Sequence, residues 1–124
     1  MIQFITHSNN RYGYVDGARL ALEGGCRWVQ LRMKEATEAE FMAAAAEIGR
    51  LCKEHGATFV LDDHVEWVEK TGADGVHLGK NDMSPTEARE LLGEEYIIGA
   101  TANTFDDIEA LRHLDIDYIG LGPY

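Results

Sequence analysis

The sequence of 124 residues is 45% apolar and contains only 2 prolines, a composition that excludes a disordered or collagen-like polypeptide and fits a single domain. Its 22 acidic residues outnumber its 11 basic residues, so the formal net charge is −11 at pH 7. Because nucleic acids and membrane surfaces are anionic, we expect the protein to bind neither, although a local cluster of cations or a metal ion could still hold a phosphate.

Short apolar runs rich in β-branched and aromatic residues recur along the chain and predict strands. They cover residues 2–5, 28–31, 58–61, 75–78, 96–98 and 118–121. Polar and apolar residues alternate little within these runs, which indicates strands buried on both faces. That burial is typical of a parallel sheet covered by helices.

Amphipathic segments between the strands predict helices. Residues suited to cap a helix N-terminus precede three of these segments: Thr37, Ser84 and Thr104. Thr37 forms a capping box with Glu40, and the third segment places Phe105, Ile108 and Leu111 on one face, which we expect to be buried. Glycines able to adopt positive φ follow four helical segments, at Gly24, Gly56, Gly72 and Gly93.

The alternation of strands and helices predicts an α/β protein built from βα units. An open doubly wound sheet and a (β/α)₈ barrel both use this repeat. Six strands alone favour the open sheet, because a complete barrel needs eight strands and at least roughly 200 residues. In both architectures ligands bind beyond the carboxyl ends of the strands.

The second predicted strand ends in a polar cluster. Gln30, Arg32 and Lys34 occupy alternate positions and therefore point to the same side of the strand. Arg32 as a planar fork and Lys34 as a point charge could bind a pyrophosphate. The alternative is a solvated basic strand end, which we disfavour because an inward-facing Gln and Arg would be costly to bury.

Carboxylates follow the next two strands. Asp62 and Asp63 end the third strand, and Asp82 lies in the loop after the fourth. Such carboxylates could share a Mg²⁺ ion that also contacts phosphate oxygens. Asp63 could instead cap the following helix, and Asp82 could be an ordinary turn residue. Thr101 is a candidate hydroxyl for ligand contact, and the role of His77 is open.

The polar strand ends occur within longer motifs that run the length of the chain, at residues 30–34, 62–63, 72–79, 98–104 and 117–124. Together these motifs resemble the thiamine phosphate synthase family of TIM-barrel enzymes. The resemblance implies a TIM (β/α)₈ barrel of which about six strands and five helices are present, with residues 1–124 as one domain, the N-terminal portion of a longer barrel. It implies a transferase of thiamine biosynthesis that joins hydroxymethylpyrimidine pyrophosphate to thiazole phosphate, with Mg²⁺ as cofactor.

The resemblance also implies roles for the polar residues. By position, the substrate-binding residues are Gln30, Arg32, Lys34, Asp62 and Thr101. Arg32 and Lys34 would act in catalysis by stabilising the leaving pyrophosphate, and Asp63 and Asp82 would hold the metal.

Three positions depart from the family's usual pattern: Asp62 in place of Asn, Lys80 in place of Gln, and Asn103 in place of His. The change at Asp62 matters most, because an added carboxylate would repel pyrophosphate unless it were protonated or bound to metal.

Two other functions fit parts of the sequence. A thiazole tautomerase would share the fold without needing the cations and the metal pair. A non-catalytic phosphate-binding or oligomerising module would explain a partial barrel, whose two unpaired edges and apolar inner face would favour a homo-oligomer. We expect a cytoplasmic protein, since the sequence shows neither a signal peptide nor an apolar run of roughly 20 residues.

Overall fold

The structure is a computed structural model that describes residues 3–6, 13–33 and 36–121. Lys34, one of the two predicted catalytic cations, lies outside the described residues. The strands are β1 (Phe4–Ile5), β2 (Trp28–Leu31), β3 (Thr58–Asp62), β4 (Gly75–Leu78), β5 (Ile97–Ala102) and β6 (Tyr118–Leu121). The α-helices are α1 (Tyr14–Glu23), α2 (Glu38–His55), α3 (Val68–Thr71), α4 (Pro85–Leu92) and α5 (Phe105–Leu111), and a 3₁₀ helix covers Val65–Trp67.

The strands form one parallel sheet in the order β1-β2-β3-β4-β5-β6. A doubly wound sheet reverses its strand order near the middle, whereas a TIM barrel adds each new strand beside the previous one. The observed order therefore decides for the barrel: the described residues form part of a barrel wall with its helices outside. Among those residues, no helix is long and apolar enough to cross a membrane.

The predicted helix caps are present. The Thr37 hydroxyl accepts from the backbone N–H of Glu40 at 3.1 Å, and the Glu40 carboxylate accepts from the N–H of Thr37 at 3.0 Å, which completes the capping box. Thr104 forms the same capping box with Asp107 at the start of α5, and the hydroxyl of Ser84 caps α4 by accepting from the N–H of Glu87. At the end of α1, however, Gly24 has a φ of −79°, and the next residue, Gly25, adopts the positive φ.

The two faces of the sheet have different surroundings because side chains alternate along each strand. One face packs against the helices and forms the apolar core. Its largest strand contributions are Val29, Leu31, Phe59, Leu61, Val76, Leu78 and Ile98. The helices add Leu22, Phe41, Ile48 and Leu51 to the same cluster.

The inner face differs from the apolar surface expected from the sequence. Its carboxyl end carries Gln30, Asp62, His77, Thr101 and Tyr118 around a cavity. These residues alternate with the apolar residues of the core, so the runs that seemed uniformly apolar contain an inward polar set. The strand edges do resemble the expectation: among the described strands, β1 and β6 each pair with one neighbour, and Leu121 is 67% exposed.

Two predicted elements differ in detail. β5 runs on to Ala102, four residues beyond the predicted strand, because residues 99–102 pair with β6. In α5 the expected buried face is incomplete, since Phe105 is 88% exposed while Ile108 and Leu111 are half-buried. Phe105 lies in the first turn of α5, and none of the described elements covers it.

A close approach between β5 and β6 depends on glycine. The ring of Tyr118 lies against the backbone of Gly99, and a Cβ at position 99 would come within 1.9 Å of that ring. The rings of Trp28 and Tyr118 also form a T-shaped pair, with centroids 4.8 Å apart. The Tyr118 ring therefore occupies the space that a side chain at position 99 would fill.

We expect Gly99→Ala to destabilise the full-length protein by about 1–3 kcal/mol, because the added methyl overpacks the Tyr118 ring. The matched control is Gly49→Ala in α2, where a Cβ would meet Phe59 at an ordinary 3.4 Å. That change should stabilise by about 0.5–1 kcal/mol through the lower backbone entropy of the unfolded chain. Urea unfolding midpoints measure both effects, and equal midpoints for the two variants would contradict the packing argument.

Candidate active site

A cavity of about 650 Å³ opens at the carboxyl ends of the strands. Every predicted site residue that the structure describes lines it: Gln30, Arg32, Asp62, Asp63, Asp82 and Thr101. The register of the parallel strands brings together residues that are up to 71 positions apart in the chain. A cavity at this end of the sheet is the usual ligand site of a TIM barrel.

Gln30 and Arg32 both face the cavity, but their environments differ. Gln30 is 2% exposed, and its Nε2 donates a hydrogen bond to Oε1 of Gln3. The side chain of Arg32 is 47% exposed, and its Nε lies 3.8 Å from Oδ2 of Asp62. Of these two side chains, therefore, only Gln30 is buried. Arg32 is half-exposed, and its long ion pair with Asp62 leaves the guanidinium able to bind another anion.

The backbone of Arg32 is fixed by Thr6, a buried residue just after β1. The Arg32 N–H donates to Oγ1 of Thr6 at 2.9 Å, and the Thr6 hydroxyl donates to the carbonyl of Arg32 at 3.0 Å. The Thr6 N–H also donates to the carbonyl of Gln30 at 2.9 Å. Thr6 thus extends the pairing of β1 with β2 by one residue and sets the point from which the Arg32 side chain leaves the sheet.

Asp63 and Asp82 both line the cavity, close enough for their carboxyl groups to influence each other. Burial is the main cause that raises the pKa of Asp63, and the charge of Asp82 raises it further. Asp63 has a φ of 64° and His64 a φ of 59°, a left-handed conformation that non-glycine residues rarely adopt and that is frequent at functional sites. The Asp63 N–H donates to the carbonyl of His77 at 2.8 Å, which fixes this turn to β4.

The alternative structural roles of the two carboxylates have different outcomes. His64, not Asp63, precedes the 3₁₀ helix, and no side chain caps that helix. Asp82 does act as a turn residue, because its Oδ2 accepts from the N–H of Gly79 at 2.7 Å. This bond engages one oxygen of Asp82 and holds its carboxylate at the cavity wall.

The carboxyl groups of Asp63 and Asp82 suit a Mg²⁺ ion that takes its remaining ligands from substrate and water. Two carboxyl groups in contact require a shared proton or a cation between them. Within the described ranges, no group of three or more His, Cys, Asp or Glu side chains is arranged to hold a metal, so the protein does not form a complete cage there. Mg²⁺ commonly binds to one or two carboxylates while substrate phosphates and water complete its coordination, and Asp63 with Asp82 suits that mode.

Asp62 lies beside this pair. Burial raises its pKa, the charge of Arg32 opposes that rise, and the charges of Asp82 and Asp63 add to it. A carboxyl in this environment is more easily protonated than a free aspartic acid.

His77, whose role the sequence left open, lies between two hydroxyl groups. Its Nε2 is 2.7 Å from Oγ1 of Thr101, and its Nδ1 is 2.8 Å from the hydroxyl oxygen of Tyr118. Burial lowers the pKa of His77, with Asp82 opposing the shift, which favours a neutral imidazole. Burial likewise raises the pKa of Tyr118 to about 12, while a hydrogen bond from Gln3 opposes that rise.

Sequence reasoning missed three residues of this site: Gln3, Thr6 and Tyr118. Gln3 and Tyr118 line the cavity, and the alternation of inward residues along β6 could have indicated Tyr118. The other two departures from the family pattern lie outside the cavity lining and meet at Asp107. Nζ of Lys80 is 3.1 Å from Oδ2 of Asp107, which also accepts from the backbone N–H of Asn103 at 2.9 Å.

Comparisons with known proteins agree with this geometry. The sequence profile described as Thiamine monophosphate synthase matches residues 2–124. Over 123 residues the chain is 58% identical to the thiamine-phosphate synthase of Phocaeicola vulgatus and 54% identical to that of Bacteroides fragilis strain YCH46. These alignments cover 99% of this chain and 59% and 60% of the two relatives.

A solved structure, thiamine phosphate pyrophosphorylase from Pyrococcus furiosus, superposes with a TM-score of 0.89 at 30% identity. The match covers 98% of this chain and 59% of that one, so the chain spans about three fifths of the length of the relatives it matches. The named relatives give no support to the tautomerase or to the non-catalytic module. On its sequence and its fold, the chain belongs to the thiamine monophosphate synthase family.

Proposed function

We propose that the full-length protein is a Mg²⁺-dependent thiamine-phosphate synthase, which joins hydroxymethylpyrimidine pyrophosphate to thiazole phosphate and releases pyrophosphate. The observation that carries the proposal is the cavity in which Gln30, Arg32, Thr101 and the Asp63 and Asp82 pair converge, in a chain of this family. A cytoplasmic location and a homo-oligomer stay predictions from the sequence.

The chemistry of this reaction asks the protein for positioning and charge stabilisation. The C–O bond between the pyrimidine methylene and the pyrophosphate breaks, and its electron pair leaves on the oxygen. The thiazole nitrogen then donates its lone pair to the methylene carbon to form the new C–N bond. Since neither bond change moves a proton, the barrier depends on the orientation of the two substrates and on the charge that develops on the pyrophosphate.

Arg32 is the described residue best placed to meet that charge. Its 3.8 Å contact with Asp62 is longer than a hydrogen bond, and half of its side chain is exposed to the cavity. A guanidinium in this position could turn its two-pronged donor to a pyrophosphate oxygen pair. Lys34, two positions along the chain, stays a predicted second cation.

The three carboxyl groups would have separate tasks in the complex. Asp63 and Asp82 would hold Mg²⁺, whose charge would offset the repulsion between the two carboxylates. When bound, the ion would supply positive charge that stabilises the pyrophosphate as it leaves. Burial raises the pKa of Asp62, so this carboxyl would be more easily protonated than a free aspartic acid, and a protonated carboxyl would donate a hydrogen bond to the pyrophosphate instead of repelling it.

We expect Arg32→Lys to lower kcat of the full-length protein by at least about tenfold, a loss of 1.4 kcal/mol in transition-state stabilisation. Lysine keeps the charge but lacks the planar fork. The measurement is thiamine phosphate formed from the two substrates with Mg²⁺, and the control is Arg50→Lys, an exposed arginine on α2 that pairs with Glu47 and Glu54. Equal rates in both variants would remove Arg32 from the site, and absence of product from the unmodified protein would refute the proposed function.

We expect Mg²⁺ to raise the thermal unfolding midpoint of the full-length protein near neutral pH. At a concentration of roughly 100 times its Kd, the ion should add about 2.7 kcal/mol to the free energy of unfolding. The effect should weaken as the pH falls, because burial raises the pKa of Asp63 and protons therefore compete with the metal for that carboxyl group. The double variant Asp63→Ala/Asp82→Ala should lose both this stabilisation and the activity.

The control for the metal experiment is Asp16→Ala/Glu23→Ala, which removes two exposed carboxylates from α1. It should leave the Mg²⁺ effect unchanged. If the Asp63 and Asp82 double variant responds to Mg²⁺ as the control does, the ion binds elsewhere.

A further inference from the structure

A chain of hydrogen bonds crosses the inner face of the sheet and joins two predicted substrate-binding residues. It begins at Thr101 on β5, passes through His77 on β4 and Tyr118 on β6, and continues through Gln3 to Gln30 on β2. Three of its five members, the histidine, the tyrosine and Gln3, have no role assigned by the sequence. The chain therefore couples side chains from opposite parts of the cavity wall.

The direction of donation along this chain follows from its Gln30 end. Because Nε2 of Gln30 donates to Oε1 of Gln3, Gln3 turns its amide NH₂ to Tyr118. An amide donor on the phenol oxygen stabilises the phenolate, so this hydrogen bond lowers the pKa of Tyr118 against the larger rise caused by burial. The phenol then directs its own O–H toward Nδ1 of His77, which must accept the bond.

A neutral imidazole whose Nδ1 accepts carries its proton on Nε2. In this tautomer Nε2–H of His77 donates to Oγ1 of Thr101 across 2.7 Å. A threonine hydroxyl that already accepts a bond still has one hydrogen to donate. That hydrogen cannot point to His77 and is left for a group in the cavity.

We propose that His77 is a positioning residue. Tyr118 and Gln3 hold it as the Nε2–H tautomer, and this tautomer makes Thr101 a hydrogen-bond donor to the substrate. The acceptor would be a pyrophosphate oxygen or a pyrimidine ring nitrogen, and this part of the inference rests on the proposed function. The tautomer itself depends only on the residues of the hydrogen-bond chain.

The packing around His77 restricts its ring to this arrangement. The ring stacks on Tyr118, with centroids 5.5 Å apart and planes at 28°. A Cβ at Gly120 would come within 3.0 Å of Cε1 of His77, so the glycine leaves room for the imidazole. Tyr118 is held in turn against Gly99 and in a T-shaped contact with the ring of Trp28.

The opposite direction would have a different chemical result. If both amides were turned around, Nδ1–H of His77 would donate to the phenol and Nε2 would accept from Thr101. The threonine hydrogen would then be consumed inside the protein, and Thr101 could offer the substrate only an acceptor. The protonated nitrogen of His77 therefore distinguishes the two arrangements.

The test is the ¹⁵N NMR spectrum of the full-length protein labelled at histidine, with the His77 signals assigned from their absence in His77→Gln. We expect protonated Nε2 and unprotonated Nδ1 in the unmodified protein. Tyr118→Phe keeps the ring and removes its O–H, so it should give a mixture of tautomers and lower kcat by about tenfold, the factor expected for one lost hydrogen bond. Tyr96→Phe, a half-buried ring outside the cavity lining, is the matched control and should change neither.

The outcomes separate this inference from the proposed function. A dominant Nδ1–H tautomer in the unmodified protein, or an unchanged tautomer in Tyr118→Phe, would overturn the positioning role. The expected tautomers in a protein that forms no thiamine phosphate would support the hydrogen-bond direction and refute the synthase.

Discussion

The register of the parallel sheet determines where each functional side chain lies. Asp62 pairs with His77, His77 with Gly99, and Thr101 with Gly120. Because the side-chain period of a strand is two, a shift of one residue in any of these pairings would turn the polar residue toward the helices and an apolar residue into the cavity. The apolar cluster beneath the helices, which opposes such a shift, thereby also maintains the site.

Small residues on β5 and β6 make this polar interior sterically possible. Gly99 accommodates the ring of Tyr118, and Gly120 leaves space for the imidazole of His77. Larger side chains at these positions would fill the wall with apolar contacts but would separate the hydroxyls from the histidine. Since buried polar groups are costly unless they are hydrogen-bonded, the two glycines and the hydrogen-bond chain depend on each other.

The sequence predicted the element order, three helix caps and the gathering of polar side chains at the carboxyl ends of the strands, because these follow from local patterns and from motifs at strand ends. It missed Thr6 and Tyr118 because their partners are distant in the chain: Thr6 contacts Arg32, 26 positions away, and Tyr118 contacts His77, 41 positions away. Alternation suggested that Arg32 would be buried like Gln30. The structure leaves it half-exposed, since the side chain starts at the strand end and extends past the rim.

The choice between barrel and open sheet likewise depends on long-range contacts that local patterns do not contain. Counting strands favoured the open sheet, and only the motifs favoured the barrel. The strand order, a property of long-range pairing that no local pattern contains, decides between them. The length comparison with the relatives is consistent with that result, because the chain spans about three fifths of them.

The electrostatic balance of the cavity constrains any ligand more strongly than its shape does. Asp62, Asp63 and Asp82 surround it, and Arg32 is the cation that lines it among the described residues. An anionic pyrophosphate could enter such a site only if protons or a metal ion neutralised part of this charge. Burial raises the pKa of Asp62 and of Asp63, and the charges of the neighbouring carboxylates add to that rise. The carboxyl groups that are least suited to a phosphate ligand are therefore the ones that would make its binding dependent on a cation.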